Sequence, residues 1–122
     1  MPVYLKYGNI KGDVTDSAHA GWIELTSAQW GVARAPTVSE ITVTKANDSA
    51  SQRLLNEALS GSPVAAFIDF VGDDGTVTMR LTMSGTVISS YNVSGSGDSP
   101  IESLTLNSSN IGAQNYPGTP PP

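Results

Sequence analysis

The sequence predicts a mainly β domain, a compact two-sheet β-barrel or sandwich with one short α-helix at its side. The chain is rich in Ser, Thr and Gly and only 14% of its residues are charged, which favours turns and half-polar strands. Apolar and polar residues alternate in several segments, and only one segment has helical spacing. With 122 residues the chain can form one core but not two. We therefore expect a single domain over residues 1–116.

The clearest predicted strand lies in residues 38–45. Ile41 and Val43 share one face and the threonines share the other, as expected for a strand with one wet side. Residues 76–84 repeat this alternation. The wet faces of the two strands carry small hydroxyls that hydrate readily and bind little. These candidates for the wall of a passage are Thr42, Thr44, Thr78 and Thr82.

A hairpin and a bend are the other strand signals. Asp74-Gly75 is typical of a tight turn between twisted strands, so the strands at residues 64–72 and 76–84 should pair. Residues 22–32 have the pattern of one long strand whose alternation slips at Ser27 and Ala28, which predicts a bulge or bend. The apolar faces and the helix together define a predicted core of Trp30, Ile41, Val43, Leu55, Leu59, Ile68, Phe70, Leu81, Leu104 and Leu106.

One helix is predicted, over residues 49–60. Ser49 and Gln52 have the spacing of a capping box, and Asp48 is a competing N-cap. Gly61, followed by a proline two residues later, predicts the end of the helix. The apolar stripe on this segment consists of Leu54, Leu55, Ala58 and Leu59.

Composition excludes several classes of function. The net charge is −5 with six scattered basic residues, so binding to nucleic acid is not expected. The chain contains no cysteine, and hence neither a disulfide nor a thiolate metal site. The N-terminus lacks the pattern of a signal peptide, and no run approaches the roughly 18 apolar residues of a membrane span, so we expect neither Sec export nor membrane insertion. The Pro-rich residues 117–122 should form a mobile tail.

Residues that suggest chemistry have simpler explanations. His19 lies near Asp13, Asp16 and Ser17, but a catalytic triad is normally assembled from distant segments. We expect His19 to hold its own turn together, so that His19→Ala costs about 1 kcal/mol. Asp73 and Asp74 are too few ligands for calcium. We therefore predict no catalytic residue, metal or cofactor.

The N-terminal third resembles the start of the Hcp tube proteins of type VI secretion. In that family a first strand leads into a polar loop containing His, and the next strand holds an acidic residue between apolar ones before Trp-Gly. The corresponding segments here are Leu5-Lys6-Tyr7-Gly8-Asn9-Ile10-Lys11-Gly12-Asp13, Asp16-Ser17-Ala18-His19, Trp22-Ile23-Glu24-Leu25 and Gln29-Trp30-Gly31. The resemblance extends more weakly to about Tyr116.

The resemblance implies a structural role and not an enzyme. Hcp subunits form six-membered rings that stack into a tube expelled by a contractile sheath, so the implied partners are further copies of the chain, sheath, baseplate and spike proteins, and effectors. The protein would be cytoplasmic and then secreted through the type VI apparatus. The main alternative is a monomeric β-sandwich that binds carbohydrate through its aromatic side chains, and an enzyme comes third.

One departure from the family concerns stacking. Many members have a long glycine-rich extension between the second and third strands, whereas here only Ala33-Arg34-Ala35-Pro36-Thr37 connects Val32 to Val38. Five residues span at most about 18 Å. Stacking would then depend on this connection and on the polar loop at residues 9–20, with Asn9, Lys11, Asp13 and Arg34 as the candidate contacts.

Overall fold

The computed structural model describes residues 2–31, 39–96 and 99–115. Eight strands and one α-helix follow each other along this part of the chain, with a short 3-10 turn at Ser17–His19. The elements are β1 (Val3–Tyr7), β2 (Ile23–Leu25), β3 (Ser27–Gly31), β4 (Ser39–Ala46), α1 (Ser51–Ser60), β5 (Val64–Val71), β6 (Val77–Ser96), β7 (Ser99–Ser108) and β8 (Asn110–Asn115). The predictions for the connection 33–37 and the tail 117–122 lie outside the described residues.

All strand pairs are antiparallel, in the order β2-β1-β5-β6-β7-β4-β3 with β8 also on β6. Strand β6 is 20 residues long and belongs to two sheets. Its first half, residues 77–86, lies between β5 and β8 in sheet A, which also contains β1 and β2. Its second half, residues 87–96, pairs with β7 in sheet B, which also contains β4 and β3. The expected two-sheet, mainly β fold with one helix is confirmed.

Thr26 separates β2 from β3 and moves the chain from one sheet to the other. Its backbone N–H donates to the carbonyl of Thr44 over 2.7 Å, so the two sheets meet at this side. The predicted bend in the segment 22–32 therefore exists. It is sharper than a bulge, because its two halves pair in different sheets.

The core is formed by one face of each sheet. Of the predicted core positions, six are fully buried, namely Ile41, Val43, Ile68, Leu81, Leu104 and Leu106. Trp30 and Phe70 are partly buried and pack against this cluster. Tyr7 is also buried, and its hydroxyl donates to the carbonyl of Thr86 over 3.2 Å. Burial raises the pKa of Tyr7 to about 12.

The helix corrects two predicted core positions. Leu54 is fully buried, but Leu55 is 36% exposed and Leu59 is 75% exposed, so their assignment to the core is wrong. A short helix beside a sheet buries a narrow stripe, and Ala50 and Leu54, one turn apart, occupy it. Leu55 lies about 100° and Leu59 about 140° around the helix axis from Leu54, so both face outward.

The start of the helix has neither predicted cap: its N-cap residue is Ala50, without a side-chain cap, and Asp48 lies in the turn before it. The helix begins at Ser51 and not at residue 49, and the Asp48 carboxylate accepts the backbone N–H of Ala50 over 3.0 Å. The Ser49 side chain binds Asp13 instead. Position 49 therefore fastens the polar loop to the start of α1.

The predicted hairpin between β5 and β6 is present. Asp74 accepts the backbone N–H of Thr76 over 3.1 Å and its hydroxyl over 2.7 Å, and these bonds lower the pKa of Asp74. Gly75 has a φ of 85°, a conformation that favours glycine. No helix in the described part of the chain is long and apolar enough to cross a membrane.

Candidate assembly surface

The outer face of sheet B carries two rows of small uncharged side chains. They alternate with the buried residues of β4 and β7 and therefore point away from the core. The strand register aligns the first row as Gln29, Thr42, Thr105 and Ser90, and the second as Ser27, Thr44, Ser103 and Asn92. Among the described side chains of this face, Glu40 is the one charged residue. We call these two rows the hydroxyl face.

Hydrogen bonds between side chains order part of this face. The hydroxyl of Thr44 lies 2.6 Å from those of Thr26 and Ser27, and Ser89 donates to the carbonyl of Thr105 over 3.3 Å. These bonds join neighbouring strands of the sheet. The hydroxyl face is therefore polar, and several of its hydroxyl groups already form hydrogen bonds within the sheet. Few of its groups remain to bind another protein.

Both sides of sheet B end in strands that lack a further partner among the described residues. Strand β3 pairs with β4 alone, and residues 87–96 of β6 pair with β7 alone. The sheet has four strands that alternate in direction, so its two edge strands run in opposite directions. A second copy placed beside the first could therefore continue the sheet with antiparallel pairing.

The structure divides the four predicted wall threonines between two surfaces. Thr42 and Thr44 lie on the hydroxyl face of sheet B, whereas Thr78 and Thr82 lie on β6 within sheet A. The hydroxyl of Thr78 donates to the carbonyl of Phe70 over 3.0 Å. Because the two sheets share one core and face away from each other, a single wall cannot contain all four.

A buried ionic cluster covers the outer face of sheet A. His19 is 1% exposed, with Nδ1 at 2.7 Å from Asp16 Oδ2 and Nε2 at 2.8 Å from Asp69 Oδ2. Both ring nitrogens of His19 therefore lie within hydrogen-bond distance of a carboxylate oxygen. The carboxylate of Asp69 also receives two hydrogen bonds from Arg80, at 2.7 and 2.8 Å.

Aromatic rings enclose the same cluster. The His19 ring lies 4.9 Å from the Tyr4 ring and 4.7 Å from the Trp22 ring, centroid to centroid. The guanidinium of Arg80 is 5.8 Å from the rings of both Trp22 and Phe67, within reach of cation–π attraction. The cluster anchors the loop between β1 and β2 to the sheet through the contacts of His19 with Asp69 and with the Tyr4 ring.

The expectation that His19 holds only its own turn is too local. Its bond to Asp16 is local, but its bond to Asp69 joins residues 50 positions apart in the chain. Asp13 and Ser17, grouped with it by sequence, are not among its hydrogen-bond partners in the structure. The described residues contain no group of three or more His, Asp or Glu side chains that could hold a metal ion.

The predicted stacking residues lie in the loop or outside the described residues. Asn9, Lys11 and Asp13 are exposed, and Arg34 falls in the part of the chain that is not described. Both carboxylate oxygens of Asp13 accept hydrogen bonds from Ser49, from its side chain and from its backbone N–H, which lowers the pKa of Asp13. Asn9 and Lys11 have no side-chain hydrogen bond of this kind to another described residue.

Sequence analysis missed a second buried ionic cluster, at the end of the barrel below α1. The Lys45 ammonium is fully buried and donates to Glu102 Oε1 over 2.8 Å, Asp48 Oδ1 over 2.9 Å and Ser51 Oγ over 3.0 Å. Asn47 donates to the other oxygen of Glu102 over 2.8 Å. A signal existed in the sequence, because Lys45 continues the alternation of Ile41 and Val43 on the core side of β4.

The aromatic side chains do not form the sugar-binding platform of the alternative interpretation. Tyr7 is inside the core, Trp30 packs against it, and Tyr4 and Trp22 surround His19. Tyr91 lies near the second ionic cluster, where burial and the neighbouring Glu102 raise its pKa. Tyr116 lies outside the described residues.

Solved structures with a similar fold include two Hcp proteins and a chain of a contractile injection system. Hcp1 from Salmonella typhimurium matches with a TM-score of 0.88 and 21% identity, over 97% of this chain and 87% of that one. Hcp2 from the same organism gives a TM-score of 0.85 and 23% identity, over 95% and 87% of the two chains. A chain of the PVC sheath-tube complex, an extracellular contractile injection system, matches with a TM-score of 0.66 and 14% identity, over 93% of this chain and 88% of that one.

The fold and the family comparison agree. The chain shares its fold with the Hcp structures and with the chain of the PVC sheath-tube complex. The family described as type VI secretion system effector, Hcp, matches residues 4–114, and this chain belongs to that family. No curated protein sequence matches the chain significantly.

Proposed function

We propose that this protein is the ring subunit of a type VI secretion tube, forming a homo-hexamer whose rings stack into a conduit for effector proteins. The observation that carries the proposal is the form of sheet B. Its two edge strands lack a further partner among the described residues, and its outer face carries two rows of uncharged side chains. Strand β3 of one copy adds to β6 of the next, always in the antiparallel sense. Such a head-to-tail contact repeats around a ring, and membership in the Hcp family favours six copies.

The hydroxyl face lines the passage in this proposal. Its short, uncharged side chains, including Thr42 and Thr44, offer cargo neither a charged nor an extended apolar surface to bind. Thr78 and Thr82 lie on sheet A and would face the outside of the ring. Charge or bulk added to the hydroxyl face should hinder cargo and leave the fold intact.

Stacking is the weaker part of the assembly. The exposed residues Asn9 and Lys11 and the short connection containing Arg34 are the proposed contacts between rings. A five-residue connection reaches at most about 18 Å, so isolated rings should dominate in dilute solution. Sheath, baseplate and spike proteins would then promote stacking before the tube is secreted.

Native mass spectrometry and electron microscopy test this proposal. We expect a species with six times the mass of the 12.7 kDa chain, visible as rings. A monomer alone across micromolar concentrations contradicts the ring, and abundant long tubes of the purified protein contradict weak stacking.

A pair of matched variants tests the passage. Thr42→Arg places a charge on the hydroxyl face and should reduce effector secretion while rings persist. Thr82→Arg places the same charge on exposed sheet A and should secrete normally. Equal secretion by both variants would contradict the assignment of the hydroxyl face to the passage.

A further inference from the structure

A pocket opens on the outer face of sheet A, between the end of β1 and the polar loop. Its volume is about 310 Å³. Lys6 alternates along β1 with the buried Leu5 and Tyr7, so its side chain points away from the core, and Lys11 lines the pocket from the loop. The described residues that line the pocket include these two cations and no carboxylate. In a chain with a net charge of −5, this is a locally basic site.

The two lysines of the pocket lack acidic partners within the described chain. Both are exposed, and neither forms a salt bridge with another described residue. The carboxylates of the same loop are engaged elsewhere. Asp13 accepts hydrogen bonds from Ser49, and the Asp16 carboxylate lies against a ring nitrogen of His19. The positive charge of the pocket is therefore available to a partner.

The remaining wall of the pocket includes apolar side chains that are held in place. Ile10 and Trp22 supply them. The Trp22 ring packs at 4.7 Å from the His19 ring, centroid to centroid. The stem of Lys11 lies across Gly21, where an added Cβ would come within 3.6 Å of the lysine Cγ. A ligand would therefore meet a preformed aromatic surface beside the two ammonium groups, which lowers the cost of ordering the site.

The backbone of the pocket does not suit a phosphate group. Phosphate sites commonly present several free backbone N–H groups to one compact anion. Here the N–H groups of Gly8, Ile10 and Gly21 already donate to carbonyls of the chain, over 2.9, 3.1 and 2.9 Å. Two separate lysine ammonium groups remain, and each binds as a point charge. Two carboxylates on one extended segment therefore match the pocket better than a single phosphate.

We infer that this pocket is a docking site for an acidic segment of a partner protein. Carboxylates of the segment bind Lys6 and Lys11, and an apolar side chain of the segment packs against Trp22. Exposed ion pairs are weak one by one, so binding requires both charges and the apolar contact together. The inference goes beyond the proposed ring and does not depend on it, because a single copy contains the whole pocket.

Fluorescence anisotropy with two labelled synthetic peptides tests the site. One peptide carries several Glu and Asp residues around a single Leu, and in the other Gln and Asn replace the acids. We expect only the acidic peptide to bind, with an affinity that falls as sodium chloride is added. No binding of the acidic peptide at low salt, or equal binding of the neutral peptide, overturns the inference. Inorganic phosphate that displaces the peptide more strongly than sodium chloride at the same ionic strength assigns the pocket to phosphate and also overturns it.

Variants of Lys6 locate the binding, because Lys6, unlike Lys11, is not a proposed contact between rings. Lys6→Glu should weaken binding of the acidic peptide by about tenfold or more, whereas Lys6→Arg keeps the charge and should bind nearly like the wild type. Arg53→Glu makes the same change of charge on the exposed side of α1, outside the pocket, and is the control.

Two results with these variants would contradict the docking site. Equal weakening by Lys6→Glu and Arg53→Glu would show that the peptide is attracted to the whole chain and not to the pocket. Loss of stacked rings in Lys6→Glu with unchanged peptide binding would show that the occupant of the pocket is a second copy of the chain.

Discussion

Lys45 and Glu102 face each other across β4 and β7, with 2.8 Å between Nζ and Oε1 and at most 1% of either side chain exposed. Both occupy core-side positions, where apolar residues would otherwise stand. The desolvation of two charges is offset here by hydrogen bonds to Asp48, Ser51 and Asn47. The buried ion pair is therefore stable only while both of its charges and their hydrogen-bond partners are present.

Removal of one partner should be costly. We expect Lys45→Met to lower the free energy of unfolding by about 3–5 kcal/mol, because Glu102 is left buried without its cation. The double variant Lys45→Met/Glu102→Leu removes both charges and should recover most of the loss. Urea unfolding measures both values. A single variant within about 1 kcal/mol of the wild type would contradict this account.

Acid should weaken the same cluster. Burial acts to raise the pKa of Glu102, but its hydrogen bonds outweigh burial and hold the pKa below the ordinary value of 4.5. The unfolded chain therefore binds this proton first as the pH falls. The stabilisation by Glu102 is fully present above about pH 4.5 and is lost as the pH falls through the lower pKa of the folded state.

Thermal unfolding between pH 7 and pH 3 measures this effect. Glu102→Gln should be less stable than the wild type at neutral pH, and the difference between the two should shrink in acid. A difference that stays constant over the whole range would show that the Glu102 carboxylate does not contribute to the pH dependence.

His19 should matter more than its position in a loop suggests. His19→Ala removes a buried side chain that contacts two carboxylates and leaves the buried Asp69 without one of its hydrogen-bond partners. We expect a loss of about 3 kcal/mol, above the roughly 1 kcal/mol expected from a local hydrogen bond. Faster amide exchange in residues 12–22 should accompany it. Asp16→Asn is the control, since Asp16 is 40% exposed and should cost less than about 1 kcal/mol. Equal losses for the two variants would contradict a buried anchor.

Truncation of two leucines five positions apart on α1 should change the free energy of unfolding by very different amounts. Leu54→Ala removes a fully buried side chain and should cost about 2–5 kcal/mol. Leu59→Ala should stay within about 0.5 kcal/mol in the monomer, because its side chain is 75% exposed. Urea unfolding of both variants decides this, and a large loss for Leu59→Ala would mean that the helix packs through a different face.

Much of the fold follows from local sequence patterns. The alternation of apolar and polar residues identified the core sides of β4, β5, β6 and β7. Asp74-Gly75 identified the hairpin between β5 and β6. These signals are local because strand periodicity and turn chemistry depend on neighbouring residues. The apolar stripe of the helix was a less specific signal. Four apolar residues share this side of the helix, but the sheet buries only part of it, and Leu55 and Leu59 stay exposed.

The pairing of strands into sheets did not follow from the sequence. Thr42 and Thr78 have the same local pattern but lie on different sheets, because only tertiary pairing decides which sheet a strand joins. The contact from His19 to Asp69 was hidden for the same reason. The sequence pattern also ended a strand at residue 84, whereas strand β6 continues through Gly85, with a φ of 62°, and shifts its register with β7 between Ile88 and Ser90.

The continuity of β6 gives the subunit a mechanical property. One unbroken backbone connects sheets A and B. A force applied to either sheet therefore reaches the other through the covalent bonds of β6 and through its hydrogen bonds to β5 and β7. A force that pulls the two sheets apart along β6 acts in shear on many of these hydrogen bonds at the same time, and they do not break one after another. If the proposed tube is pushed along its axis, each subunit should therefore bear the load as a single rigid body.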